Sequence, residues 1–162
     1  MQYYLSLGSN LGEREQHLLQ AVQYIEQQIG PVLRCSSFYY SEPWGFESEH
    51  PFCNICCLLE TDKAPLEVLR LTQAIERALG RTKKSVSPKD GPSVQRSVSA
   101  TVCQSQTVYH DRPIDIDIIR AFDDDGQEKS FNFQLSTFNL IIPHPLWQER
   151  DFVKIPLQEI LP

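Results

Sequence analysis

The chain has 162 residues, of which 41% are hydrophobic, 22% charged and 10% aromatic, and its 21 acids against 15 bases leave a net charge of −6. The apolar content excludes a disordered chain, and 7 Gly and 11 Pro without a period exclude a fibrous repeat. No apolar run reaches the ~20 residues of a membrane span, the first ten residues lack the pattern of a secretory signal, and the acidic balance argues against a general nucleic-acid binder, so one soluble cytoplasmic domain is expected.

Tyr3 to Leu7 has the composition of a short strand, closed by the loop Gly8-Ser9-Asn10-Leu11-Gly12. That loop precedes a helix in the manner of a phosphate cradle but lacks the Lys and the spacing of a P-loop. The helix is marked by Leu18, Val22, Ile25 and Ile29, spaced to form one apolar stripe, with Glu13 and Glu15 near its start and Gly30-Pro31 at its end. Val32 to Ser41 is rich in β-branched and aromatic residues and predicts a second strand. Glu42 to Pro51 is a loop, and Phe52 to Thr61 is a third strand.

A second helix is expected from Pro65, with Val68, Thr72, Ile75 and Leu79 as its buried stripe and Gly80 as its cap. The stretch 83–110 is rich in Ser and Val, and the alternation of Val98, Ala100 and Val102 suggests a hairpin within it. Pro113 to Phe122 is a fourth strand, Asp123 to Gly126 a turn, and Phe131 to Ile142 further strand. The order strand, helix, strand, strand, helix, strand is that of an α+β ferredoxin-like sandwich. In that fold an antiparallel sheet carries helices on one face and leaves the other face for a site.

Charge is unevenly distributed. Arg81 to Arg112 carries +4 and the remainder −10, a basic island suited to a small polyanion. Beside it lies Arg112-Pro113-Ile114-Asp115-Ile116-Asp117-Ile118. A strand period of two sends the isoleucines to one face and both aspartates to the other, with the aspartate Cα atoms about 6.6–7 Å apart. Two such carboxylates suit Mg²⁺, which takes few protein ligands and completes its octahedron with water and phosphate oxygens. Gln73 and Glu76 are neighbours on one helix face, able to bind a nucleotide or simply to meet solvent. Phe52 and Asn54 share a strand face in a combination suited to a flat heteroaromatic ring. Cys53, Cys56 and Cys57 read as small strand hydrophobes, because an offset of three places Cys53 and Cys56 on opposite faces.

Taken in order, Gly8-Ser9-Asn10-Leu11-Gly12, Ser36-Ser37-Phe38-Tyr39, Glu42-Pro43-Trp44-Gly45, Phe52-Cys53-Asn54, Leu79-Gly80-Arg81, Asp111-Arg112-Pro113-Ile114-Asp115-Ile116-Asp117 and Ile142-Pro143-His144-Pro145 resemble the 6-hydroxymethyl-7,8-dihydropterin pyrophosphokinase family. The resemblance spans nearly the whole chain. It implies a monomer that uses ATP and two Mg²⁺ ions to transfer pyrophosphate to a pterin hydroxymethyl group in folate biosynthesis, releasing AMP. Asp115 and Asp117 then correspond to the metal ligands. Asn54, Phe52, Phe152, Ser41, Pro43 and Trp44 correspond to the pterin pocket, with Tyr109 as a lid aromatic. Gln73, Glu76, Arg81, Arg112, His144 and Arg150 fall on the ATP side. Lys83 and Lys84 belong to a long flexible loop at about 83–110 that closes over the phosphates. Read from the residues alone, two other functions stay open: another Mg²⁺-dependent phosphoryl transferase, and a non-catalytic ferredoxin-like ligand-binding module.

Overall fold

The computed structural model describes residues 1–44, 47–81 and 111–162. The expectations for Lys83, Lys84, Tyr109 and the 98–102 hairpin therefore lie outside the described residues. The chain runs β1 (Gln2–Ser9), α1 (Arg14–Gln28), β2 (Val32–Cys35), β3 (Tyr39–Ser41), β4 (Phe52–Glu60), α2 (Pro65–Ala78), β5 (Asp115–Phe122), β6 (Glu128–Lys129), β7 (Phe131–Gln134), β8 (Asn139–Ile142) and α3 (Asp151–Ile160). The main sheet has the order β2–β4–β1–β5–β6, with β3 also on β4, and its pairings are antiparallel; β7 and β8 form a separate hairpin.

β1 is hydrogen-bonded on both edges, to β4 and β5, and its side chains divide by parity. Tyr3, Leu5 and Leu7 join Ile55, Cys57 and Leu59 of β4 and Ile114, Ile116 and Ile118 in one apolar cluster. Leu18, Ala21 and Ile25 of α1 and Val68 and Ile75 of α2 close that cluster. The alternate residues Tyr4, Cys56 and Leu58 join Ile119 in a second cluster under Val153, Leu157 and Ile160 of α3. Part of the sheet's second face is thus covered by a helix that sequence reading did not assign. The rest of that face holds the site.

The segment expected as one strand from Val32 to Ser41 is two, both paired with β4. Ser36 explains the break: its backbone N–H donates to Cys56 O (2.9 Å), while its Oγ, in place of a backbone carbonyl, accepts from Cys56 N–H (2.9 Å). A side chain that replaces a ladder acceptor interrupts the strand. At the end of α2, Gly80 adopts φ +97°, a conformation that costs a side-chain-bearing residue strain. No helix among the described residues is long and apolar enough to cross a membrane.

Ile116 is 4% exposed and lies in the helix-side cluster between the two aspartates. Ile116→Ala is expected to lower unfolding stability by about 2–4 kcal/mol, read as a reduced urea midpoint without a change in slope.

Candidate active site

Ile116 and Ile118 of β5, with Ile114 just before it, enter the helix-side cluster, so Asp115 and Asp117 share the other face, opposite Gly8 and Ser6 of β1 in the register. Both carboxylates are half-buried. Asp115 is bridged by Arg81 and, at 3.3 Å, by Arg112 Nη1. Arg81 Nη1 also donates to Glu76 Oε1 (2.6 Å), and the same oxygen accepts from Ile116 N–H (2.8 Å). Glu76, left open between solvent and ligand by the sequence, is only 4% exposed. It locks α2 to the acid strand and joins a cluster of three carboxylates and two guanidinium groups.

Burial, and then the neighbouring Asp115 charge, push the Asp117 carboxyl up to about 6. The same two causes, opposed by Arg81, push Glu76 up to about 7. Among the described residues, burial and the neighbouring carboxylate thus outweigh the charges of Arg150, Arg81 and Arg112 at Asp117, a setting in which a divalent ion would favour the ionised pair. The donor set fits Mg²⁺ in particular. Two adjacent aspartates supply hard oxygens, although among the described residues no group of three or more His, Cys, Asp or Glu side chains is placed to hold a metal by itself. A Mg²⁺ ion held there would complete its coordination with water and phosphate oxygens.

Two cavities meet at the acid pair. The first is lined by Phe52, Trp44, Phe152, Asn54, Ser41 and Arg150, with Gly8 on its floor. Asn54 Nδ2 donates to Tyr39 O (3.2 Å) and to Ser41 Oγ (2.9 Å), which fixes the amide and leaves Oδ1 as its acceptor. A Cβ at Gly8 would stand 2.9 Å from that Oδ1, so the close approach requires glycine. The Arg150 guanidinium lies 4.6 Å from the Trp44 ring centre and 5.9 Å from that of Phe152, and Arg112 lies 5.6 Å from that of Phe52. The pocket thus combines aromatic faces, an oriented amide and cations over rings.

The second cavity is a cleft lined by Gln73, Glu76, Asn139, Ile141, His144 and Pro145. His144 Nδ1 accepts from Leu146 N–H (3.2 Å), so Nε2 carries the proton of the neutral ring. Burial, followed by the Arg150 charge, holds the imidazole down at about 4. It is therefore neutral at pH 7. Asp115 and Asp117 line both cavities and form the wall between them.

Of the seventeen residues singled out from sequence, twelve line one or both of these cavities and three fall outside the described residues, leaving Arg81 and Pro43. Ser41, Trp44, Phe52, Asn54, Arg112, Arg150 and Phe152 line the first cavity with the acid pair. Gln73, Glu76 and His144 line the second. Arg81 is buried behind the acids rather than lining either cavity, and Pro43 is half-buried beside the lining residues.

Sequence reading missed one structural device, although its signal was the Gly8-Ser9-Asn10 motif. Asn10 Oδ1 accepts from Arg112 N–H (2.7 Å), while its Nδ2 donates to Asp111 Oδ1 (2.7 Å) and to His50 O (3.1 Å). Ser48 Oγ donates to the same Asp111 oxygen (2.6 Å). Asn10 therefore clamps the segment before β4 to the entry of the acid strand. The Ser48 hydroxyl, ahead of the Asn10 amide, holds the Asp111 carboxyl below its ordinary value. The stability this contributes is present above the unfolded carboxyl value and is lost as pH falls through the folded one. Asn10→Ala is expected to cost about 1–3 kcal/mol in urea unfolding at pH 7. Its deficit relative to wild type should shrink in strong acid, where Asp111 is protonated in both proteins.

The sequence profile of the 7,8-dihydro-6-hydroxymethylpterin-pyrophosphokinase family matches residues 4–162. The chain is 42% identical over 159 residues to the 2-amino-4-hydroxy-6-hydroxymethyldihydropteridine pyrophosphokinase of Porphyromonas gingivalis, covering 98% of this chain and 90% of that one. It is 36% identical over 159 residues to the protein of the same name from Bacillus subtilis, covering 97% and 76%. Among solved structures, a crystal structure of HPPK-DHPS in complex with substrates superposes with a TM-score of 0.58 at 14% identity. That match covers 99% of this chain and 40% of the longer one, and it bears on the fold. With a profile match over nearly its full length and close relatives of matching extent, the chain belongs to the 7,8-dihydro-6-hydroxymethylpterin-pyrophosphokinase family.

Proposed function

We propose that the chain transfers a pyrophosphoryl group from ATP to the hydroxymethyl oxygen of 6-hydroxymethyl-7,8-dihydropterin, releasing AMP, as a step of folate biosynthesis. Family membership supports the reaction class. The observation that carries the assignment of the site is the position of Asp115 and Asp117 as the common wall of an aromatic, amide-bearing pocket and a polar cleft. A transfer between two substrates needs its reacting centre where their pockets meet.

In this reading the pterin ring lies in the first cavity against Phe52 and Phe152, near Trp44, Ser41 and Pro43. Asn54, held by Tyr39 and Ser41, offers Oδ1 to a ring donor. The nucleotide takes the cleft of Gln73, Glu76 and His144, whose neutral Nε2–H donates a hydrogen bond without adding charge. Arg112 and Arg150, on the pterin side of the acids, counter the charge of a triphosphate crossing the wall. Asp115 and Asp117 would hold Mg²⁺, two ions in this reading, supplying Lewis-acid neutralisation of the phosphate oxygens. Arg81 and Glu76 keep Asp115 in place, and the buried isoleucines behind the strand prevent either aspartate from turning away. A bond forms between the hydroxymethyl oxygen and the β-phosphorus as the hydroxyl proton is lost to solvent, and the bond from that phosphorus to the α–β bridging oxygen breaks, leaving AMP. The strand order, with α1 and α2 sharing one apolar cluster, supports a ferredoxin-like topology, and in this reading the chain acts as a single-domain monomer on two small molecules.

Purified protein given ATP, Mg²⁺ and hydroxymethyldihydropterin should release AMP in step with pterin consumption. Asp115→Ala should reduce the rate by more than about 100-fold, since ligand loss exceeds the cost of disturbing a supporting residue. Absence of pterin-dependent AMP from folded wild-type protein would refute the reading.

Asp117 separates function from stability. A carboxyl whose folded value is raised destabilises the fold once ionised: the cost is absent below about 4, the unfolded value, and complete above about 6. Ligand-free Asp117→Asn protein should therefore melt above wild type at pH 7.5, with the gap closing towards pH 4. The same variant should lose turnover and any Mg²⁺-dependent rise in melting temperature in the presence of nucleotide.

A further inference from the structure

Two cysteines that the site does not use face each other across the outer strand pair. Cys35 of β2 stands opposite Cys57 of β4 in the register. The bond from Ser36 N–H to Cys56 O makes them a non-hydrogen-bonded pair, the narrow type in which opposed Cα atoms lie about 4.5 Å apart. That separation is within the span of a disulfide. The two Sγ atoms are 2.9 Å apart. Their surroundings differ, since Cys35 is exposed and Cys57 is buried.

The difference gives the two sulfurs distinct chemistry. A hydrogen bond from the Cys57 thiol holds Cys35 below its ordinary value, against the opposing effects of burial and the Glu26 charge. The same bond, followed by burial, pushes Cys57 far up. An accessible sulfur with enhanced thiolate character therefore has a shielded partner directly behind it, the arrangement of an attacking and a resolving thiol. Cys56 cannot take the second role, because it lies in the α3-side cluster on the other face of β4.

We propose that Cys35 and Cys57 form a reversible dithiol–disulfide couple that is oxidised by a small disulfide of the glutathione class. The Cys35 thiolate attacks one sulfur of the oxidant, forming a mixed disulfide and releasing one thiolate. Cys57 then attacks Cys35 Sγ, closing the intramolecular bond and releasing the second thiolate. The two thiol protons of the protein end on the two released thiols, and two electrons pass from the cysteine pair to the oxidant. The cross-link ties β2, the outermost strand at that edge, to β4. Cys57 points with Ile55 and Leu59 into the helix-side cluster, away from the face that carries Asn54 and the acid pair. Oxidation therefore fastens the sheet edge and leaves the site open.

The test uses the full chain carrying Cys103→Ser, which removes the cysteine outside the described residues. After glutathione disulfide treatment, intact mass should fall by two hydrogens, and, once the remaining thiols are alkylated, peptide mapping without reductant should join the Cys35 and Cys57 peptides. Dithiothreitol should reverse both changes. The oxidised protein should melt about 3–8 °C above the reduced form. Cys57→Ala should stop at a single glutathione adduct on Cys35, and Cys35→Ser should show neither product. A parent protein that stays glutathionylated at Cys35, that keeps both thiols free, or whose cross-linked form melts no higher than the reduced one, overturns the proposal.

Discussion

The site depends on a single strand being pulled in two directions. Ile114, Ile116 and Ile118 are buried under α1 and α2, and with a period of two this leaves Asp115 and Asp117 nowhere to point but the opposite face. Burying those isoleucines stabilises the fold by several kcal/mol in total, more than enough to hold two carboxylates at a spacing their mutual repulsion opposes. Hydrophobic packing on one face of β5 thereby enforces electrostatic tension on the other. In the proposed reading a divalent cation relieves that tension.

The surrounding charges refine this arrangement. Glu76, Arg81 and Asp115 form a buried network anchored by Ile116 N–H, linking α2 to the acid strand. Removing one member of such a network leaves an uncompensated charge, whereas replacing the whole by apolar residues is often tolerated. Its role is therefore better understood as positional than as a source of stability. Asn10 performs the equivalent task at the strand's entry, where it ties Arg112 and Asp111 to the segment carrying His50. Together they fix Asp115 from both sides.

Much of this was legible in the amino-acid sequence because it rests on period and position. The two helical stripes, the alternation in β5 and the start of α2 at Pro65 follow from spacing alone. Other features were not legible. The break between β2 and β3 depends on Ser36 Oγ meeting a backbone N–H that only tertiary pairing brings near it. α3 carried a readable stripe, Val153, Pro156, Leu157 and Ile160, but an internal proline argues against a helix until burial against the sheet offsets its cost. The burial of Glu76 could not be inferred from its spacing to Gln73. It arises because Arg81 and Ile116 N–H, distant in sequence from one another, both reach its carboxylate. The cysteines show the same limit, since the pairing of Cys35 with Cys57 depends on strand register rather than on any motif.

In the proposed reading the acid pair joins the two pockets through a cation when both substrates are bound. The most direct measurement is a crystal structure with Mg²⁺, a non-hydrolysable ATP analogue and hydroxymethyldihydropterin bound together. The account predicts metal density on the carboxylates of Asp115 and Asp117, the nucleotide in the cleft beside His144, and the pterin against Phe52 and Asn54. Nucleotide and pterin both bound with no metal on either aspartate, or a nucleotide seated away from the His144 cleft, would contradict it.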